Sequence, residues 1–110
     1  MAGELLLDTG ALVSILDRSQ VHHEKYVRFF DEWDGPVVST EAVLTEATHL
    51  LGRVRHGRKA CYADLPMDYA DATLVVLAEE IGTDLLFTTD RRDFRVYRIR
   101  GRKGFRIVPE

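Results

Sequence analysis

Four carboxylates attract attention through their positions. Asp8 directly follows the apolar run Leu5-Leu6-Leu7, and Asp90 follows Leu85-Leu86-Phe87 by way of Thr88-Thr89. Glu46 and Asp71 lie in stretches whose apolar residues repeat at helical spacing. At about 100° per residue, Asp71 falls about 65° from the centre of the stripe formed by Met67, Ala70, Leu74, Leu77, Ala78 and Ile81, whereas Asp68 falls about 125° away, toward solvent. Glu46 sits at the margin of the stripe through Val43, Ala47, Leu50, Leu51 and Val54. A carboxylate at the edge of a core is costly unless it is paired or binds a cation. Four acids brought to one crevice repel one another, and no lysine or histidine is placed beside them in the sequence. A hard divalent cation, Mg²⁺ or Mn²⁺, is the compensating charge that an all-oxygen site selects. Taken singly, each acid has a plainer use: Asp8 as a helix cap, Asp90 as the start of a turn.

Other chemistries fit poorly. His22 and His23 are adjacent, and His49 and His56 are seven apart, so neither pair has the i, i+4 spacing of a helical zinc site. The chain contains neither a Gly-x-x-x-x-Gly-Lys phosphate loop nor a Gly-x-Ser-x-Gly elbow. A haloacid-dehalogenase-type phosphatase needs a second Asp two residues after the first, and here that position is Gly10. Cys61 is the single cysteine, which excludes an internal disulfide and points to a reducing, cytoplasmic setting. No segment of the 110 residues approaches the roughly 20 apolar residues that span a bilayer, so no membrane role is expected.

The elements that must position these acids follow from pattern. Leu5-Leu6-Leu7 and Leu85-Leu86-Phe87 read as short buried strands, and Val37-Val38-Ser39 as another short strand. Leu12, Ile15 and Leu16 mark one helix, and Tyr26, Phe29, Phe30 and Trp33 mark a second that Gly35-Pro36 ends. Thr40 is placed to cap a long third helix; Pro66 suits the first turn of a fourth, which Gly82 closes. Residues 98–100 and 105–108 are weaker, more exposed strand candidates. Strands alternating with helices imply one α/β domain over residues 1–110, a doubly wound parallel sheet flanked by helices. Its functional crevice lies beyond the C-terminal ends of the strands, where Asp8 and Asp90 fall.

Charge is unevenly divided. Residues 1–52 carry three basic side chains (Arg18, Lys25 and Arg28) against nine acidic ones, and residues 53–110 carry twelve against nine. Eight of those twelve (Arg91, Arg92, Arg95, Arg98, Arg100, Arg102, Lys103 and Arg106) follow Asp90 closely, and several are expected at the crevice rim as a polyanion-binding edge. Pairing with acids on the body is the alternative use.

Leu6-Leu7-Asp8-Thr9-Gly10-Ala11-Leu12, Thr45-Glu46-Ala47, Met67-Asp68-Tyr69-Ala70-Asp71-Ala72 and Thr88-Thr89-Asp90-Arg91-Arg92-Asp93-Phe94, taken in order, resemble the four acidic motifs of PIN domains, specifically the VapC-type toxin ribonucleases. The resemblance implies a PIN-like fold and a Mg²⁺-dependent endoribonuclease (Mn²⁺ as an alternative metal). It implies a metal site of Asp8, Glu46, Asp71 and Asp90, with Asp93 as a fifth member and a hydroxyl from Thr88 or Thr89 assisting. It further implies an RNA substrate, a cognate antitoxin and a homodimer. A degenerate PIN domain that binds RNA or protein without cutting is the non-enzymatic alternative. The interval between the Glu46 and Asp71 motifs is shorter than in the family. A helix over residues 40–59 is about 30 Å long, and the six residues that follow span at most about 20 Å. The domain is therefore expected to be shortened, or to lack a segment near residues 61–62.

Overall fold

Leu5-Leu6-Leu7 and Leu85-Leu86-Phe87 are apolar at every position because both faces of the sheet they build are covered. In the computed structural model, which describes residues 3–56 and 67–109, they form β1 (Leu5–Leu7) and β3 (Leu85–Phe87), paired in parallel at the centre of a four-stranded sheet. The edges are β2 (Val37–Val38), beside β1, and β4 (Arg106–Val108), beside β3, so the order is β2-β1-β3-β4 and every pairing is parallel. Both edge strands abut a proline, Pro36 before β2 and Pro109 after β4.

Five helices complete the described residues: α1 (Thr9–Leu16), α2 (His23–Glu32), α3 (Glu41–His56), α4 (Met67–Ile81) and α5 (Arg91–Val96). Successive strand side chains point to opposite faces, and the core divides accordingly. Leu6 and Leu86 pack with Val43, Ala70, Leu74, Ala78 and Phe94 on the side of α3, α4 and α5. Leu5, Leu7, Leu85 and Phe87 pack with Ala11 and Tyr26 on the side of α1 and α2. Each fully buried Leu or Phe contributes about 1.5–3 kcal/mol. The chain leaves β1 toward β2 on one side and then crosses to β3 on the other. The point where strand order reverses is therefore the cleft between the C-terminal ends of β1 and β3, the place where open α/β sheets hold their ligands.

The helix signals resolve in detail. The Thr40 hydroxyl caps α3 by accepting the Val43 N–H (3.3 Å). The Thr73 hydroxyl gives its proton to the Ala70 carbonyl (2.6 Å), so Thr40 is the donor in the 2.8 Å bond between the two hydroxyls that ties α3 to α4. Gly82, at φ +76°, closes α4 with its N–H on the Ala78 carbonyl (2.9 Å). One sequence expectation changes, and one element carried no sequence signal. Residues 98–100 form no strand; Ile99 makes one antiparallel bridge to Lys103, around a turn that places Arg100 and Gly101 at positive φ. The segment after Asp90 is helical, and its single buried apolar residue, Phe94, left no periodicity to read. Pro66 and the interval near residues 61–62 lie outside the described residues.

Candidate metal centre

Each strand of the central pair is followed by a residue of the site, Asp8 after β1 and Thr88 after β3. Asp8, in the residue after β1, is 4% exposed and occupies the N-cap position of α1, yet its side chain does not cap that helix. Its Oδ2 instead accepts a 2.6 Å bond from the hydroxyl of Thr88, the fully buried residue after β3. The Thr88 Oγ1 in turn accepts the Asp90 N–H (2.9 Å). On the other side, the Thr9 hydroxyl donates to Glu46 Oε1 (2.8 Å), anchoring the α3 carboxylate to the first residue of α1. Asp71, on α4, is 8% exposed and its Oδ2 accepts from the Tyr97 hydroxyl (3.3 Å). Asp90 caps α5, with Oδ1 accepting the Asp93 N–H (3.1 Å). Gly10 allows a close approach of Thr89, whose hydroxyl Oγ1 would lie 2.0 Å from a Cβ placed there and would have to shift.

The structure brings three of these acids into one group: Asp71, Asp90 and Asp93 each offer a carboxylate oxygen within 4.8 Å of the others. Asp8 and Glu46 stand beside that group rather than in it. The charges of Asp90 and Glu46 act on Asp8, and Asp8 acts on Asp71, so Asp8 links Glu46 to the three-acid cluster. Helix phase selected Asp71 correctly as a buried position; the Asp68 side chain lies outside the described residues. Of the two candidate hydroxyls, Thr88 engages Asp8. Thr9 and Tyr97 carried no sequence signal: threonine beside an acid is common, and Tyr97 reaches Asp71 only through the course of α5.

The electrostatics are those of buried carboxyls that repel one another and are only partly relieved by hydrogen bonds. Burial pushes the Asp71 carboxyl from 3.8 up to about 7, reinforced by the charges of Asp8, Asp90 and Asp93 and partly offset by the Tyr97 hydrogen bond. Asp8 is raised for the same first reason, burial; the Thr88 hydroxyl and Thr9 N–H oppose that rise, and the charges of Asp90 and Glu46 add to it. Among the described residues, no cationic side chain pairs with Asp8, Glu46, Asp71 or Asp90; both ion pairs end on Asp84. The donor set, all carboxylate with flanking hydroxyls, suits a hard divalent cation. The raised Asp71 fixes a sign. Between 3.8 and about 7 the folded protein retains a proton that the unfolded chain has lost, so stability falls as pH rises through that window and levels off above it. The melting temperature of metal-free protein, relative to an Asp71→Asn variant, is expected to fall across the same interval. A divalent cation should reverse the trend, because ligand carboxylates must be deprotonated to bind; a flat difference would place Asp71 in an ordinary solvated environment.

The basic C-terminal stretch is divided instead of forming one rim. Lys103 (3.1 Å) and Arg106 (2.8 Å) hold Asp84, the residue before β3 and hence at the end of the sheet away from the acids. Arg100 binds Glu79 near the end of α4 through its N–H (2.7 Å) and its guanidinium (3.0 Å). Arg91 donates to the Pro109 carbonyl. Exposed Arg92 and Arg95 remain close behind Asp90 on α5. No helix among the described residues is long and apolar enough to cross a membrane. No protein-family model matches the chain, and no curated protein matches it significantly.

Proposed function

We propose that the protein is a Mg²⁺-dependent endoribonuclease of the PIN-like, VapC type, acting in the cytoplasm as the toxin of a toxin–antitoxin pair. The carrying observation is the crevice at the β1/β3 switch point, where Asp71, Asp90 and Asp93 converge beside Asp8 and Glu46 and, among the described residues, no cationic side chain pairs with Asp8, Glu46, Asp71 or Asp90. A divalent cation held there supplies Lewis-acid stabilisation of charge developing on a phosphoryl oxygen and acidifies water. Asp71, Asp90 and Asp93 would hold such a cation, with Asp8 beside them. Thr88 fixes the Asp8 carboxylate, and the Asp90 N–H fixes Thr88, so the loop after β3 sets the geometry of the residue after β1. Glu46, outside the three-acid group and oriented by Thr9, is placed to accept the proton of the attacking water. Burial of Asp8 and Asp71 excludes bulk water and strengthens each of these interactions. Antitoxin binding and homodimer formation follow from the same family reading.

Purified protein, free of any antitoxin, is expected to cleave members of a panel of structured RNAs with Mg²⁺ and to lose that activity in chelator. Cleavage undiminished by chelator would sink the metal mechanism. Divalent-cation binding without cleavage of any RNA would favour a non-catalytic binding module.

A further inference from the structure

The three basic residues of the acidic half of the chain, Arg18 in the turn after α1 and Lys25 and Arg28 on α2, all line one open cleft between the end of α1 and the start of α2. His22, His23 and Glu24 share that lining. Among the described residues none of the three cations forms an ion pair, although Glu24 shares the lining. This contrasts with Lys103 and Arg106, which both close on Asp84. Asp17 is occupied otherwise, its carboxylate accepting from the Ser19 N–H and hydroxyl and from the Gln20 amide. His23 is fixed in place by a 2.7 Å bond to the Ser14 carbonyl; a carbonyl only accepts, so Nδ1 carries the proton. No side chain caps α2, a helix of ten residues, so the positive end of its dipole faces the cleft beside the three cations and Glu24, the one acid of its first turn.

We propose that this cleft is a phosphate-binding subsite for the RNA strand whose scissile bond lies over the carboxylate crevice. The inference rests on the nuclease reading for the identity of the strand. The cleft and the crevice are joined along two paths. α1 begins at Thr9, in the crevice, and its eight residues reach about 12 Å toward Arg18. The His22 ring stacks on Tyr26 (6.5 Å), whose hydroxyl donates to the Thr88 carbonyl (3.3 Å). A strand crossing an acidic metal site needs a compensating anchor for its backbone, and guanidinium forks beside an open helix N-terminus match a phosphate.

The test is fluorescence anisotropy of a labelled single-stranded oligoribonucleotide in chelator, so that binding is read without cleavage, over a series of salt concentrations. Arg18→Gln, Lys25→Gln and Arg28→Gln combined should raise Kd about tenfold at low salt. The slope of log Kd against log salt should fall by up to about 2, at roughly 0.7 per phosphate contact on a single strand. Arg28→Gln alone should remove about 0.7 of that slope, which covers the case of a misfolded triple variant. Arg102→Gln, in the turn beside Lys103, should leave Kd and slope as in the wild type. Unchanged Kd and slope in both cleft variants overturn the proposal. So does wild-type protein that binds no oligoribonucleotide at low salt, or a triple variant that loses binding of a polyglutamate peptide but not of RNA. If RNA binding depends on the cleft but Mg²⁺ elicits no cleavage, the nuclease reading fails and the subsite stands. If cleavage occurs while the cleft variants bind as wild type, the subsite fails and the nuclease reading stands.

Discussion

Asp71→Asn is expected to abolish Mg²⁺-dependent RNA cleavage while raising the melting temperature of the metal-free protein above neutral pH. The substitution keeps the shape of the side chain and its capacity to accept from Tyr97, but removes one charge from the group with Asp90 and Asp93. Loss of a ligand carboxylate forfeits several kcal/mol of transition-state stabilisation, about a thousandfold in rate. The gain in stability comes from the same charge. A carboxyl held at about 7 instead of 3.8 costs about 1.4 kcal/mol per unit when ionised, and halving the sum for solvent screening leaves about 2 kcal/mol. Rate measurements in Mg²⁺ and thermal melts in chelator, on one variant, read the two effects separately. Lower activity with lower stability would mean that Asp71 is a structural hydrogen-bond acceptor and no part of a metal centre.

Phe87→Ala is expected to be the most damaging single truncation for the fold. The side chain is fully buried, and three rings of α2 converge on it: Tyr26 at 5.3 Å, Phe29 at 4.9 Å and Phe30 at 6.3 Å between centroids. Phe→Ala at such a site costs about 3–5 kcal/mol, a large share of the roughly 5–15 kcal/mol available to a small domain. The thermal midpoint should fall by about 12 °C or more. Phe87→Leu, which keeps most of the volume, should lose far less. A cost below about 1 kcal/mol for the alanine variant would show that α2 can collapse onto the gap, and that its packing does not hold the Tyr26 hydroxyl on Thr88.

What could be read beforehand followed from burial. A strand covered on both faces leaves an uninterrupted apolar run, so β1 and β3 announced themselves, and the acid after each run marked the ligand-binding end of the sheet. Asp71 was legible because helical phase separates a core-side acid from a solvent-side one. Asp93 was harder to rank, since its closeness to Asp71 depends on α5, a six-residue helix made by the Asp90 cap more than by any apolar repeat. The basic tail divides between the two expected uses for a related reason. Sequence nearness to Asp90 says nothing of direction, and the chain runs down the length of α4 before Lys103 and Arg106 meet Asp84. The cleft at the α1–α2 turn had no linear signature, because Arg18 is brought to Lys25 and Arg28 only by the reversal between two helices.

The brevity of the outer strands limits how copies of this chain can associate. A newcomer pairing alongside Val37–Val38 meets two residues preceded by a proline, and one pairing alongside Arg106–Val108 meets three, headed by a charged side chain and followed by another proline. Neither border offers the run of free amide and carbonyl groups on which a foreign strand could lengthen the sheet. The apolar runs in the middle, Leu5-Leu6-Leu7 and Leu85-Leu86-Phe87, would be the segments most apt to aggregate if exposed, and each has the other for a neighbour on one side and one of these short borders on the other. Association between folded copies by lengthening this sheet is thereby disfavoured, and growth into fibrils through the apolar strands requires the central pair to come apart first.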